Sequence, residues 1–288
     1  IGLAVYTNLN EDQLYDFLKL YNIGELISFH GITEGIENSN FHLKTTSGEF
    51  ILTIFEKRVN KKDLPFFIDV MLSLSKKNFF CPRPIIDAKN NYIQELQNKP
   101  AIIVNYLQGK SKTKITKKDC YKVGSKIASM HIKTEDFSSE RENSLSINGC
   151  QNLIKKCDVS IPNDILNKIE PNILKEIQNS FNYCVKFWPY NLPKGFIHAD
   201  IFPDNVFFHE NKLSGIIDFY FSCTDILSYD LAIAINAWCF DQEKNFNQKK
   251  YQSLLDGYNS QRKLSSDEIF YLPLLSKVAS MRFLLTRL

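Results

Sequence analysis

The chain opens on a helical period. In "NEDQLYDFLKLYNIG", Leu14, Phe17, Leu18 and Tyr21 recur on one helix face, with Asn10 placed to cap the first turn and Gly24 to stop it. The period then shortens to two. "ELISFHGI", "NFHLKTT" and "EFILTIFEKR" read as strands, the last two joined through a turn at Ser47-Gly48. "KDLPFFIDVMLSLSKKN" returns to helix, with Pro65 in the first turn, where a missing N–H costs little. "CPRPII" breaks the chain, and "YIQEL" and "KPAIIVNYLQG" add two strands before Gly109.

Beyond that glycine the pattern is mostly helical. "TKKDCYKVGSKIASMHIKT" sets Val123, Ile127 and Met130 on one face, and "IEPNILKEIQNSFNYCVKFW" keeps the same period. A hairpin-like stretch interrupts. "SYDLAIAINAWCF", "QKKYQSLLDGYNS" and "DEIFYLPLLSKVASMRFLLTRL" are then helices, the last running to the end of the chain without a cap, as a trimmed C-terminus would. The pattern predicts an α+β chain of two lobes: residues 1–104 with an antiparallel sheet and one main helix, a link at 105–108, and a larger helical lobe over 109–288. No repeat and no low-complexity linker is present.

Length and charge narrow the functions. A chain of 288 residues is long enough for two cores. Its net charge of +3 is scattered without a run of one sign, so no nucleic-acid stripe is expected. The 7 cysteines contain no CxxC and match no zinc spacing, which predicts reduced thiols in a cytoplasmic protein. No apolar run approaches the roughly 18 residues of a membrane span, and "IGLAVYTNLNEDQL" lacks a signal pattern, so neither export nor membrane insertion is expected. Nothing in the sequence distinguishes a monomer from a homodimer.

The chemistry concentrates in "GFIHADIFPDNVFF". His198, Asp200 and Asn205 form H-x-D-x-x-x-x-N, the spacing of a protein-kinase catalytic loop. After a turn at "HENK" the chain returns as "LSGIIDFYF", with Asp218 at the end of an apolar strand. Phosphoryl transfer asks for a positioned nucleophile and neutralised charge. Asp200 fits the base that accepts the acceptor's hydroxyl proton, and Asn205 and Asp218 fit hard oxygen ligands for Mg²⁺. A bland reading makes Asp204-Asn205 an Asx-type turn and His198 a core residue. It leaves Asp200 and Asp218 among apolar neighbours without a reason, since an unpaired buried carboxylate is costly. His30, His42, His131 and His209 read as structural or surface residues.

Upstream, Gly31, Gly35, Asn38, Ser39 and Asn40 lie between two strands, where backbone N–H groups can fold over triphosphate oxygens of ATP. The link offers backbone groups of Asn105, Tyr106 and Leu107 to an adenine edge, with Tyr106 or Ile103 to pack on the ring.

These residues resemble the aminoglycoside phosphotransferase and choline kinase group, small-molecule kinases of two-lobed, protein-kinase-like fold. "GITEGIENSNFHLKTTSGEFILTIFEKR", "GFIHADIFPDNVFF" and "GIIDFYFSCTDILSYDLAIAINAW" look closely like the homoserine kinases within it. The resemblance implies transfer of the ATP γ-phosphate to the side-chain hydroxyl of L-homoserine, a step in threonine biosynthesis. One departure stands out. Kinases of this fold usually keep a Lys on the third strand paired with a Glu on the next helix, and here Thr53 and Phe67 align with those positions. Lys57 or Arg58 then becomes the candidate for phosphate contact. For the zwitterionic acceptor, Arg282 and Arg287 are candidate partners of the carboxylate, and Asp225 and Asp230 of the ammonium. Choline or ethanolamine is the alternative acceptor, with Trp238 and Tyr229 as an aromatic cage. A kinase-shaped binding protein without turnover is the other alternative.

Overall fold

The computed structural model describes residues 7–33, 38–56, 59–160 and 172–288. They divide into two compact units: the chain up to Gly109 together with Ser214–Tyr220, and Lys110–Leu213 together with Phe221–Leu288. Ser214–Tyr220 leaves the helical half to join the first unit, a departure that a linear reading of the chain has no means of finding.

The first unit begins with helix α1 (Glu11–Leu18), capped as its sequence dictates. Gln13 N donates to Asn10 Oδ1 at 2.8 Å, and Asn10 N donates back to Gln13 Oε1 at 3.3 Å. The helix ends at Leu18, earlier than expected. Gly24 instead takes φ +80 beyond a turn in which Tyr21 N donates to Leu18 O at 3.0 Å. Strands β1 (Leu26–Ile32), β2 (Ser39–Thr45), β3 (Gly48–Ile54), β4 (Gln94–Leu96) and β5 (Lys99–Asn105) form an antiparallel sheet in the order β1-β2-β3-β5-β4. The β2–β3 register puts Asn40 opposite Thr53 and Phe41 opposite Leu52. Alternation then sends Phe41, Leu43, Phe50, Leu52 and Ile54 into one core with Leu14, Phe17 and Leu18. Helix α2 (Leu64–Lys76) carries Pro65 in its first turn and buries Phe66, Phe67, Val70, Met71 and Leu74.

The second unit contains α3 (Lys117–Lys133), α4 (Ile147–Ser160), α5 (Ile173–Lys186), α6 (Leu227–Trp238), α7 (Gln248–Asn259) and α8 (Ser266–Leu285). α4 was missed by the periodicity, because "INGCQNLIKKCDVS" carries an early glycine and mixed polarity that hide its apolar stripe. α8 closes at Leu285 with Thr286 as its cap, so the helix does not run off the end. Short strands β6 (Lys194–Ile197) and β9 (Cys223–Ile226) pair antiparallel, with Ile197 opposite Cys223. Between them the chain forms β7 (Val206–His209) and β8 (Lys212–Ile216), reversing at Glu210-Asn211, both at positive φ as a tight hairpin turn requires. All 7 cysteines are buried and free. Among the described residues no helix is long and apolar enough to cross a membrane.

Helices α3 and α7 meet backbone to backbone. A Cβ on Gly257 would stand 1.9 Å from Tyr121 O, and one on Gly124 would stand 2.0 Å from Leu254 O. No side chain can give way there, so a methyl forces the helices apart. Gly257→Ala should destabilise the protein by about 1–3 kcal/mol, and thermal unfolding should show a melting point several degrees lower. An unchanged melting point would mean that the two helices do not touch at these glycines.

Candidate active site

β6 ends at Ile197 and delivers His198, Ala199, Asp200 and Ile201 as a loop. The pairing partner β9 runs directly into α6, so one helical turn later Asp230 lies beneath that loop. Its carboxylate is fully buried, and both oxygens are used. Oδ2 accepts the backbone N–H of His198 at 2.9 Å, and Oδ1 accepts that of Ala199 at 2.8 Å. His131 Nε2 lies 3.2 Å from Oδ2, and His131 Nδ1 in turn meets the Tyr258 hydroxyl at 2.8 Å. Burial works to raise the Asp230 pKa, but the His131 contact and the N–H donors outweigh it and hold the carboxyl below its ordinary range.

Ala199 needs that support. Its φ of 63 is the left-handed region, which disfavours a residue with a Cβ. Besides the Asp230 contact on its N–H, its carbonyl accepts Arg282 Nη1 at 2.7 Å. The next carbonyl but one, Ile201 O, accepts Trp238 Nε1 at 2.8 Å. α6 and α8 thus grip the loop from both sides of Asp200.

The loop presents two oxygen-bearing side chains together. Asp200 N donates to His198 Nδ1 at 3.2 Å, which fixes the His198 ring and leaves the proton of a neutral imidazole on Nε2. Asn205, in the 3₁₀ turn Pro203–Asn205, donates Nδ2 to Asp200 O at 2.9 Å and to Asp200 Oδ2 at 2.8 Å. With its amide nitrogen committed, the atom of Asn205 whose chemistry suits a cation is Oδ1, a hard carbonyl oxygen. The donor set therefore fits a magnesium-type ion. Asp218 belongs to the first unit, at φ 62, between β8 and the 3₁₀ turn Phe219–Phe221.

The candidates for acceptor binding move to other duties. Asp230, Trp238 and Arg282 are buried and hold the loop, as described. Arg282 is also sandwiched by aromatic rings, its guanidinium 4.6 Å from the Phe283 centroid and 5.7 Å from that of Phe221. Neither Trp238, at 0% exposure, nor Tyr229, at 1%, can turn a face to a ligand, so they form no aromatic cage. Arg287 folds back on its own helix and donates to Phe283 O at 3.1 Å. Asp225 is partly exposed, and Arg287 is exposed. Asp225 accepts Asn143 Nδ2 at 2.7 Å and the Ile226 N–H at 2.7 Å, and burial raises its pKa.

The sequence reading missed the neighbours of Asp225. Arg141 to Asn143 run alongside β9, where Thr224 N donates to Arg141 O at 2.7 Å and Arg141 Nη1 donates to Ser222 O at 3.0 Å. The cluster "SERENSLS", charged residues just ahead of a helix, was the available signal.

In the first unit, Gly35, Lys57 and Arg58 lie outside the described residues. Gly31 sits within β1, opposite Phe41. Asn38 and Ser39 are buried and turned inward: Asn38 Oδ1 accepts Glu56 N at 3.4 Å, while Ser39 Oγ donates to Glu56 Oε1 at 2.7 Å. Glu56 is paired with Lys99 and also accepts the Thr7 hydroxyl at 2.6 Å. The Ser39 hydroxyl also accepts the Thr7 N–H at 3.0 Å, so any contact of Ser39 with phosphate is left to its backbone. Asn40 Oδ1 accepts the Thr53 hydroxyl at 2.8 Å.

In the link, two backbone N–H groups are already spent. Asn105 N donates to Arg83 O at 3.1 Å and Tyr106 N to Glu49 O at 3.0 Å. That leaves the backbone of Leu107 as the N–H that an adenine edge can use. Ile103 is wholly inside the core and cannot pack on a base. Tyr106 packs edge-on against His42, centroids 4.8 Å apart, and His42 pairs with Glu49 at 2.8 Å. Of the remaining histidines, His30 stacks near His42 at 4.9 Å and His209 is exposed.

The Asp230 clamp has a measurable pH signature. Because its folded pKa is depressed, Asp230 contributes stability that is present above the unfolded value near 4 and is lost as pH falls through the folded value. Removing one partner from a buried pair costs about 3–5 kcal/mol. Asp230→Asn should therefore lower the melting point strongly at pH 7, with the gap to wild type narrowing below about pH 4. A gap independent of pH would show that the carboxylate's charge is not what grips the loop.

The comparisons agree with this geometry. A phosphotransferase enzyme family matches residues 28–264. A homoserine kinase of Brucella anthropi is 45% identical over 286 residues, covering 99% of this chain and 86% of the relative. One of Agrobacterium fabrum is 44% identical, covering 99% and 87%. Among solved structures, an amicoumacin kinase in complex with AMP-PNP, Ca²⁺ and its antibiotic superposes with a TM-score of 0.78 at 14% identity, over 96% of this chain and 86% of that one. A spectinomycin phosphotransferase with ADP and spectinomycin gives 0.70 at 13% identity, over 98% and 100%. These neighbours share the protein-kinase-like fold, with its N-terminal antiparallel sheet and helical remainder. The chain belongs to the phosphotransferase enzyme family.

Proposed function

We propose that this chain is a homoserine kinase, transferring the γ-phosphoryl group of ATP to the side-chain hydroxyl of L-homoserine. The observation that carries the reading is the identity of 45% to a homoserine kinase across 99% of the chain, catalytic loop included. In this reading the first unit is the nucleotide-binding lobe and the second carries the base.

Asp200 accepts the hydroxyl proton as the acceptor oxygen attacks, and the Asn205 amide on its Oδ2 fixes the plane of the carboxylate. Asn205 and Asp218 are the residues that supply oxygen ligands to Mg²⁺, and the ion neutralises charge on the transferring group. The backbone of Leu107 reads the adenine edge. Arg141 and Asp225, both partly exposed beside β9, provide the opposite charges that a zwitterionic amino acid requires.

Two sets of measurements test this reading. In an ADP-release assay across homoserine, choline, ethanolamine, methylthioribose and an aminoglycoside, homoserine should give the highest kcat/KM. A higher value for another acceptor would move the assignment to that compound, and the absence of stimulation by any of them would favour a binding protein without turnover. Asp200→Asn should lower kcat by about 10²–10⁴-fold while ATP still binds, whereas Asp218→Asn should abolish transfer. Full kcat in Asp200→Asn would remove Asp200 as the base.

A further inference from the structure

The polar chain behind Asp230 does not stop at Tyr258. The packing of α3 on α7 sets the Tyr258 ring beside His131, centroids 5.7 Å apart. From the turn between α7 and α8, Arg262 Nη1 donates to the Tyr258 hydroxyl at 3.2 Å and to Glu268 Oε1 at 2.8 Å. Glu268 is 1% exposed and is itself fixed: its Oε2 accepts Ser265 N at 3.0 Å, and its N–H donates to Ser265 Oγ at 3.1 Å, the capping box of α8. The start of α8 therefore holds Arg262 against the phenol.

These contacts decide where each proton lies. A phenol has one proton to give, and a guanidinium only donates. The Arg262 contact therefore uses a lone pair of the Tyr258 oxygen, and among the described residues the phenolic proton is left one acceptor, His131 Nδ1 at 2.8 Å. Tyr258 is 0% exposed, so water offers it no other, and burial raises its pKa so that the proton is kept. An imidazole that accepts at Nδ1 carries its proton on Nε2. That is the atom 3.2 Å from Asp230 Oδ2. The donors thus all point one way, from Arg262 through Tyr258 and His131 to Asp230, which receives the N–H groups of His198 and Ala199. A doubly protonated His131 would draw the Asp230 charge away from those N–H groups. Arg262 works against that form, because the phenol would then accept twice and its own proton would be buried without an acceptor.

We propose that Arg262 is a remote positioning residue for the loop from His198 to Ile201: by occupying the Tyr258 oxygen it holds His131 in the neutral Nε2–H form and keeps the Asp230 charge on the loop's N–H groups. The inference rests on the kinase reading only for its rate measurements.

The test uses the full chain and reads His131 directly. The imidazole ¹⁵N resonances of His131, assigned through bonds from its own backbone, should show Nδ1 unprotonated and Nε2 protonated at neutral pH. Two protonated nitrogens, or a proton on Nδ1 alone, would overturn the proposal. Arg262→Met alone strands the buried Glu268 charge, so it is combined with Glu268→Gln, which still completes the capping box. In that double variant and in Tyr258→Phe, the Nδ1 resonance and the amide protons of His198 and Ala199 should shift. Their kcat should fall about three- to tenfold, the worth of one hydrogen bond, with KM for ATP unchanged. Arg262→Lys, which can still donate to both partners, should recover most of the rate. A lower melting point with wild-type kcat and wild-type His131 resonances would mean a purely structural role and overturn the proposal. Shifted resonances in a protein that phosphorylates no acceptor would uphold the positioning and refute the kinase reading instead.

Discussion

The loop from His198 to Ile201 rests on the buried Asp230 carboxylate. The backbone at Ala199 adopts a conformation that its Cβ disfavours, and an isolated loop of this sequence would relax away from it. Asp230 prevents this by accepting two consecutive N–H groups, while His131 and Tyr258 complete a polar chain that keeps the carboxylate ionised in an apolar interior. The direction of Asp200, and with it the reach of Asn205, follows from that one arrangement. Arg282 and Trp238 add the same kind of restraint to the next carbonyls. Side chains with charge or ring nitrogen are thus spent on the backbone, so that the loop has a single geometry before any substrate arrives.

How much of this could be read beforehand follows from how local each signal is. The capping box at Asn10, the proline opening α2, the strands of the first unit and the H-x-D-x-x-x-x-N spacing are encoded within a few residues, and each was legible. The helix α4 was not, because its stripe is short and broken by polar positions. Asp230 shows the harder failure. A lone carboxylate inside "SYDLAIAINAW" announces a buried partner, yet sequence cannot tell a ligand from a backbone N–H, and the partners lie at residues 131, 198 and 199. Arg282 and Trp238 failed for the same reason.

The two units handle charge differently. In the second unit the buried Asp230 carboxylate is paired with His131, and the buried Glu268 with Arg262. In the first unit, the surroundings of Thr53 are neutral, and its well-satisfied ion pair, Glu56 with Lys99, binds Thr7 and Ser39 instead. Lys99 therefore does not stand in for the missing strand lysine.

The same accounting bears on the acceptor. A quaternary ammonium is held by open aromatic faces, because it offers no N–H to donate. Trp238 and Tyr229 are both buried within α6, and the Trp238 ring nitrogen is spent on the loop carbonyl of Ile201. What β9 and its neighbour leave partly exposed is instead a guanidinium at Arg141 and a carboxylate at Asp225, oriented by Ser222 and Asn143 respectively. That pairing suits a molecule bearing both charges and a short hydroxylated arm.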